Sequence, residues 1–161
     1  MKKIILCLVA FSLVIGASAQ TTLTPGDIAV IGFNGDDPDV IRFVNLVNIA
    51  AGTQVKFTDN AWNGTALTTA EGTDTWTAAT DFVAGTVHSL TPSTVALGTT
   101  GDQILLYQGT ATAPSFIFGV SSRSWVTGSV NTTTSRIPSG LASGSTALAF
   151  STERDNGAYT I

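Results

Sequence analysis

The chain has little of what enzymes use for nucleophilic or transition-metal chemistry. Its 161 residues contain one Cys, Cys7, and one His, His88. Cys7 lies inside an apolar N-terminal run, so the rest of the chain has no thiol for a disulfide, a nucleophile or a thiolate metal site. One His is too few for a typical zinc enzyme, which draws on several His, Cys and carboxylate ligands. The sequence therefore disfavours both cysteine and zinc chemistry.

Positive charge is also scarce. Seven basic residues stand against 11 acidic ones, and the net charge is -4. No cluster of Lys or Arg occurs, whereas nucleic-acid binding needs positive charge to face the phosphates. The composition therefore opposes a nucleic-acid partner.

The first residues have the layout of a secretory signal peptide. Lys2 and Lys3 precede the apolar run 4–15, and residues 17–19 read Ala-Ser-Ala, a small-x-small cleavage site. The run is too short for a membrane span, and no later stretch approaches that length. We therefore predict that residues 1–19 are removed and that residues 20–161 form one domain, secreted or displayed on the outer cell surface.

The composition of the domain indicates an all-β fold. The chain has 26 Thr and 16 Gly but one Met, and helix-forming residues such as Lys are few. Short apolar or alternating runs are broken repeatedly by Gly, Pro, Asn and Ser, which favours an immunoglobulin-like or related antiparallel β-sandwich. The predicted strands are 27–33, 40–49, 53–59, 75–78, 86–90, 103–108, 115–120, 124–127 and 146–151.

Two features do not fit a simple sandwich. Residues 104–107 and 116–118 are apolar on both faces, which indicates central strands or strands covered by a further layer. After a polar turn at 153–157, residues 158–161 read as the start of a strand. We interpret the chain as the first part of a longer protein; the alternative is a self-contained domain with a short last strand.

The turn at 34–39 is a candidate calcium site. It brings together Asp36, Asp37 and Asp39, and carboxylate oxygens are the ligands that Ca²⁺ prefers. The spacing does not match the EF-hand loop, and Pro38 restricts the backbone. The alternative is an ordinary solvated β-turn, for which such residues are also typical.

A second candidate surrounds Trp62. An exposed indole can stack on a sugar, and Asp59, Asn60 and Asn63 beside it can bind hydroxyl groups, so a lectin-like site is one interpretation. The alternative is that Trp62 folds back and caps the core. The other two Trp residues lie in strand-like segments and are predicted to belong to the core: Trp76 and Trp125.

No catalytic constellation stands out. His88 and Ser89 are neighbours on a predicted strand, so their side chains point to opposite faces and cannot act as base and nucleophile. Neither a G-x-S-x-G elbow nor an H-E-x-x-H motif occurs. The carboxylates Glu71, Asp81 and Glu153 leave open a glycosidase-type pair, but nothing singles them out. We predict that the chain is not an enzyme.

Four segments carry a resemblance to a known family. They are residues 26–34, 49–64, 101–109 and 158–159, and the most specific stretch is Phe-Thr-Asp-Asn-x-Trp-Asn-Gly at 57–64. This pattern resembles a β-rich domain near the N-terminus of secreted bacterial proteins of the Bacteroidetes type, and more distantly lamin-tail-type immunoglobulin-like sandwiches. The resemblance implies a non-catalytic module that continues past residue 161. Larger proteins with such domains also carry nuclease, phosphatase or sorting domains, none of which is present here.

Together these observations predict a non-catalytic, secreted or cell-surface β-sandwich module that binds an extracellular glycan or protein or plays a structural role. The only cofactor for which the sequence offers ligands is Ca²⁺. One alternative is a carbohydrate-binding domain. Another is the accessory N-terminal module of a larger secreted hydrolase of the nuclease or phosphatase type. A hydrolase within these residues is the weakest alternative.

Overall fold

The computed structural model describes residues 19–159. The predicted signal peptide thus lies almost wholly outside the described residues. Between residues 19 and 159 the regular structure consists of β-strands alone, and no helix there is long and apolar enough to cross a membrane. The strands are β1 (Ile28–Asn34), β2 (Val40–Asn45), β3 (Gln54–Thr58), β4 (Thr73–Thr77), β5 (Val87–Leu90), β6 (Gln103–Thr110), β7 (Ala113–Ser121), β8 (Ala147–Ala149) and β9 (Asn156–Ala158).

The strands form two sheets that pack face to face. The first has the order β5-β2-β1-β9 and the second β4-β3-β6-β7-β8. Neighbouring strands are antiparallel, except that β7 and β8 run parallel. The main core contains residues of both sheets, and the ring centroids of Phe43 on β2 and Phe57 on β3 lie 4.9 Å apart. The predicted all-β sandwich is confirmed.

Alternation along the sequence explains how β2 and β3 are placed. Ile41 and Phe43 are fully buried, while Arg42 between them is exposed. On β3, Val55 and Phe57 are also fully buried. Because successive side chains of a strand point to opposite faces, this alternation turns one face of each strand to the core. Each such side chain contributes roughly 1.5–3 kcal/mol when it is buried.

The predicted strand 40–49 is too long. β2 ends at Asn45, which is fully buried and whose Nδ2 donates hydrogen bonds to the carbonyl oxygens of Val47 and Val83 at 2.8 and 2.7 Å. These bonds satisfy the amide side chain inside the protein and turn the chain out of the sheet. The apolar residues after Asn45 hid this change from the sequence pattern.

The predicted strand 124–127 is wrong. This segment belongs to the long connection 122–146 between β7 and β8, and its Val126 amide donates to Ser135 O at 3.0 Å within the same connection. An apolar residue followed by Thr resembles a strand in sequence, but here its hydrogen bonds remain local.

At the other end of the described chain, β9 begins at Asn156, two residues before the predicted strand and inside the predicted turn. It pairs with β1, where Gly157 faces Phe33. A Cβ at Gly157 would lie 2.7 Å from Phe33 Cε1 and 2.9 Å from Phe150 Cζ. The glycine that reads as a turn signal is therefore needed here so that a strand can approach two aromatic rings.

The apolar strands β6 and β7 are buried on both faces, as predicted. Ile104 and Leu106 join the main core between the sheets. Leu105, Tyr107 and Phe116 belong to a second cluster. Connections 59–72 and 122–146 cover this second cluster and supply its remaining members: Trp62, Leu67, Trp125 and Leu141. The sandwich thus carries a third layer made of loops.

His88, on β5 of the first sheet, lies in an aromatic cluster that also includes Trp76 of the second sheet. Its ring stacks on Phe43 at a centroid distance of 5.0 Å and lies 4.8 Å from Trp76 and 4.6 Å from Phe82. Its Nε2 is 3.0 Å from Asn45 Oδ1. Burial lowers the pKa of His88 below its usual value, so the neutral ring is favoured in the folded protein.

We predict that His88 makes the fold sensitive to acid. The unfolded chain takes up a proton near the ordinary His pKa, and folded His88 takes it up only at lower pH, so the contribution of His88 to stability is lost as pH falls below about 6.5. Melting temperatures at about pH 8 and about pH 5 should therefore differ more for the native protein than for His88→Phe, which keeps an aromatic ring. Equal differences for the two proteins would assign the acid sensitivity to other groups.

Candidate functional site

The site is built around the loop Ser93–Gly98, in the connection between β5 and β6. Asp74, on β4, accepts hydrogen bonds from the first three amides of this loop, at 3.1, 2.9 and 2.8 Å, and from the hydroxyl groups of Ser93 and Thr94. The loop contains neither strand nor helix, so its amides depend on side chains for acceptors. Asp74 therefore holds the first half of the loop in place.

Three other aspartates hold the second half. Asp59 Oδ2 accepts from the amide of Ala96 at 2.9 Å, Asp39 Oδ2 from Leu97 at 2.7 Å, and Asp102 Oδ2 from Gly98 at 2.8 Å. Asp39 precedes β2, Asp59 follows β3 and Asp102 precedes β6. One loop thus ties together the ends of several strands and gathers negative charge at one end of the sandwich, which we call the acidic end.

Three carboxylates converge within the acidic end. Ligand oxygens of Asp59, Glu71 and Asp102 all lie within 4.8 Å of one another, and among residues 19–159 they form the one such group of three or more acidic, His or Cys residues. Asp59 is 2% and Asp102 4% exposed. The second oxygen of Glu71, Oε2, is buried and has no hydrogen-bond partner. We call this group the carboxylate trio.

The trio is held together by neighbouring strand ends. Asp59 comes directly after β3, Asp102 directly before β6, and Glu71 two residues before β4. β3 pairs with both β4 and β6 in antiparallel fashion, so the end of β3 lies beside the starts of the other two. Glu71 is fixed further by its amide, which donates to Asn60 Oδ1 at 3.0 Å.

Burial and mutual repulsion favour the protonated forms of the trio. Burial, followed by the charges of Asp102 and Asp59, raises the pKa of Glu71 to about 8. Burial also raises the pKa of Asp102 to about 7, against the lowering effect of the amides of Gly98 and Gln103. Burial likewise raises the pKa of Asp59. No basic side chain is among the causes of these shifts, so no nearby cation of the described chain offsets the cost of ionising the trio.

Gln103 contacts two members of the trio through its side-chain amide nitrogen. It is fully buried, and its Nε2 donates to the carbonyl oxygen of Asp59 and lies 3.3 Å from Asp102 Oδ1. Its carboxamide group therefore lies between two members of the trio. Its Oε1 is buried and accepts no hydrogen bond. A buried oxygen without a partner costs free energy, which a cation could recover.

The structure divides the residues predicted around Trp62. Asp59 belongs to the trio and Asn60 positions Glu71, whereas Asn63 is exposed and caps its own turn by accepting hydrogen bonds from the amides of Thr65 and Ala66.

Trp62 itself packs in the second apolar cluster. Its side chain is 6% exposed and lies against Phe116 at a centroid distance of 5.1 Å, in an edge-to-face arrangement. Such burial is what the capping alternative predicts, and it leaves little indole surface on which a sugar could stack.

The residues predicted in the turn at 34–39 do not form a group like the trio. Asp36 accepts a hydrogen bond from Asn156 Nδ2 at 2.8 Å, Asp39 binds the amide of Leu97, and Asp37 is exposed. The turn is held by Asn34, whose Nδ2 donates to the carbonyl oxygens of Asp36 and Pro38. Calcium binding at this turn stays a prediction.

Sequence reasoning missed Asp102 and Gln103, and considered Glu71 only as a catalytic carboxylate. The available signal was weak: Asp59 ends one predicted strand, Asp102 directly precedes another, and Glu71 lies four residues before a third. It becomes informative only when the strand order is known, because that order brings the three strand ends together.

Comparison with known proteins gives no match. No protein-family model, no curated protein and no solved structure is similar to the chain. The resemblance to the β-rich domain of secreted bacterial proteins therefore stays a prediction, and the site is defined by its geometry alone.

We predict that Asp74→Asn destabilises the protein by about 1–3 kcal/mol, because the amide group cannot accept all the hydrogen bonds that the carboxylate accepts. Burial acts to raise the pKa of Asp74, but the hydroxyl of Ser93 and the amides of the loop lower it to about 2. Its contribution is therefore complete above the unfolded pKa near 3.8 and is lost as pH falls toward 2. Urea unfolding at neutral and acidic pH measures both effects. Asp37→Asn, at an exposed position with the same charge change, should alter stability little.

We also predict that Glu71→Gln stabilises the protein in EDTA at about pH 8. The folded-state pKa of Glu71 lies above its unfolded value, so this carboxyl group destabilises the fold increasingly as pH rises from 4.5 to about 8. A neutral amide has no such cost. The melting temperature should rise at pH 8 and change little at about pH 4. A lower melting temperature at pH 8 would contradict the repulsion described above.

Proposed function

We propose that the chain is a non-catalytic, secreted or cell-surface β-sandwich module whose acidic end binds a divalent cation, with Ca²⁺ as the best fit. The signal-peptide pattern at residues 1–19 supports export. The role is structural and binding: the cation would fix the strand ends and the loop Ser93–Gly98, and so hold this end of the module ready to contact a partner outside the cell.

One observation carries the proposal. Three carboxylates, two of them almost fully buried, meet within 4.8 Å without a basic side chain to balance them. Two buried oxygens, Glu71 Oε2 within the trio and Oε1 of the neighbouring Gln103, have no hydrogen-bond partner. Buried charges in proteins are normally paired or bound to a metal ion. A divalent cation would balance the charge of the carboxylates and could coordinate the oxygens that lack a partner.

The donor set indicates which cation fits. All donors are oxygens, from carboxylates and one carboxamide, so a hard cation is favoured over Zn²⁺ or Cu²⁺. Ca²⁺ accepts six to eight oxygens in flexible geometry, which suits side chains from separate strand ends and leaves room for water. Mg²⁺ requires a nearly ideal octahedron at shorter distances. Extracellular modules bind Ca²⁺ with dissociation constants of about 10⁻⁴ to 10⁻³ M, and this is the range we expect.

We predict that Ca²⁺ raises the melting temperature in a saturable way. At a free concentration about 100 times Kd, binding should add about 2.7 kcal/mol to the free energy of unfolding. Calorimetric titration of EDTA-treated protein gives the stoichiometry, which should be one. Glu71→Gln should abolish the effect although it stabilises the cation-free protein, so loss of binding can be told apart from loss of folding.

The double variant Asp36→Asn/Asp37→Asn is the matched control. It removes two charges from the exposed turn at 34–39 and spares the trio. If this variant loses the Ca²⁺ effect and Glu71→Gln retains it, the turn is the calcium site and the assignment to the trio is wrong. If the native protein melts at the same temperature with Ca²⁺ and with EDTA, the proposed cation-binding function is wrong.

A further inference from the structure

A cleft beside the connection 122–146, which covers the second apolar cluster, has the features of a separate ligand site. It has a volume of about 660 Å³, which is in the range of small-molecule pockets. It lies between the connection 122–146 and the segment that follows β8. Besides Phe150 and aliphatic side chains, the residues that line it are Ser124, Trp125, Thr127, Arg136, Ser143 and Ser151.

Trp125 is firmly placed at this cleft. Its Cη2 edge lies over Gly119 of β7, where a Cβ would come within 3.4 Å of the indole and 3.5 Å of Leu141 Cδ1. The glycine leaves room for the indole to rest on the sheet beside the second apolar cluster. The side chain is half-buried, so one part is packed and another part borders the cleft.

The indole Nε1 of Trp125 is buried and has no hydrogen-bond partner among the described residues. Buried Trp N–H groups usually find an acceptor, because an unpaired donor costs about 1–3 kcal/mol. Because Nε1 has no surface open to the cleft in this structure, Trp125 offers a ligand the apolar surface of its ring and not its N–H group.

Arg136 gives the cleft its charge. Its amide donates to Trp62 O at 3.0 Å, and its Nε donates to Gly128 O at 2.9 Å, so both the backbone and the base of the guanidinium group are fixed. The structure describes no further bond from the two Nη groups. None of the described residues that line the cleft is acidic, although the protein as a whole is acidic. The cleft is thus suited to a negatively charged ligand.

We infer that this cleft binds a saccharide that bears a carboxylate, of the uronic-acid type. The guanidinium group would pair with the carboxylate, which is the geometry in which Arg binds most specifically. The exposed hydroxyls of Ser124, Thr127 and Ser151 would exchange hydrogen bonds with the sugar hydroxyls. The indole would offer apolar surface to the C–H face of the sugar.

This site is distinct from the carbohydrate site predicted at Trp62. The connection that carries Trp125 also covers Trp62, so the same loop that buries one indole presents the other at its edge. The cleft shares no residue with the trio, so saccharide binding in the cleft should be independent of Ca²⁺.

Two-dimensional ¹⁵N NMR of the three indole N–H groups tests the inference. D-galacturonate and D-galactose are the probes, because they differ only by a carboxylate against a hydroxymethyl group, and acetate is the anion control. The Trp125 resonance, assigned by its loss in Trp125→Phe, should shift with galacturonate. The affinities for galactose and for acetate should each be lower by roughly ten-fold or more.

Variants locate the effect. Arg136→Gln should weaken galacturonate binding by roughly ten-fold or more, while Arg42→Gln, an exposed arginine on the first sheet, should leave it unchanged. Arg136→Lys, which keeps the charge without the planar fork, should give an intermediate affinity and serves if Arg136→Gln does not fold. Spectra of each variant without ligand report on folding.

Three results would overturn the inference. Equal shifts with acetate would mean an adventitious ion only. Equal affinity for galactose would mean that Arg136 does not select a carboxylate. Absence of any shift of the Trp125 resonance, with a folded protein, would mean that the cleft does not bind this ligand. The titration is repeated with Glu71→Gln in EDTA, where the trio should hold no cation. The galacturonate affinity should be unchanged there, so failure of the cleft can be told apart from failure of the cation site.

Discussion

The pairing of six consecutive backbone amides with four aspartate carboxylates is the constraint on which this end of the molecule depends. The loop Ser93–Gly98 has no strand neighbour, so its N–H groups would be left without acceptors if side chains did not supply them. The acceptors come from Asp39, Asp59, Asp74 and Asp102, residues far apart in sequence. The loop is therefore ordered only when the strand ends have met. The same pairing concentrates negative charge, and the acidic end must accommodate it.

Two residues show how the surroundings decide the behaviour of a carboxylate. Asp74 accepts five hydrogen bonds, which stabilise its charged form and hold its pKa near 2. Glu71 lies close by, but one of its oxygens has no partner and its neighbours are themselves acidic, so its pKa rises to about 8. A carboxylate with a structural role accepts several hydrogen bonds and has a low pKa, as Asp74 does. A raised pKa beside other acidic groups, as at Glu71, is typical of a position where the charge is not balanced. The contrast is the physical reason why we propose a cation at the trio and not at Asp74.

Sequence patterns were most informative where they reflect the alternation of side chains along a single strand. Alternation around Phe43 and Phe57 predicted two core strands, and the residues 104–107 and 116–118, apolar on both faces, predicted that something covers the second sheet. The same patterns failed at 124–127, where the backbone bonds stay within a loop, and at Gly157, where a turn signal reflects contact with two aromatic rings. In both cases the contact that decides the local structure joins residues further apart in sequence than the two-residue period of a strand.

The sequence by itself determined the all-β class, most strand positions and the residue types at each candidate site, because alternation and turn residues act over a few positions. Tertiary structure alone decided which of those residues meet. It separated Asp59 from Trp62, although they lie three positions apart, and joined Asp59 to Glu71 and Asp102. The reason is geometric: antiparallel pairing of β3 with β4 and β6 brings the end of one strand beside the starts of two others, and strand order is not encoded in any short stretch of the chain.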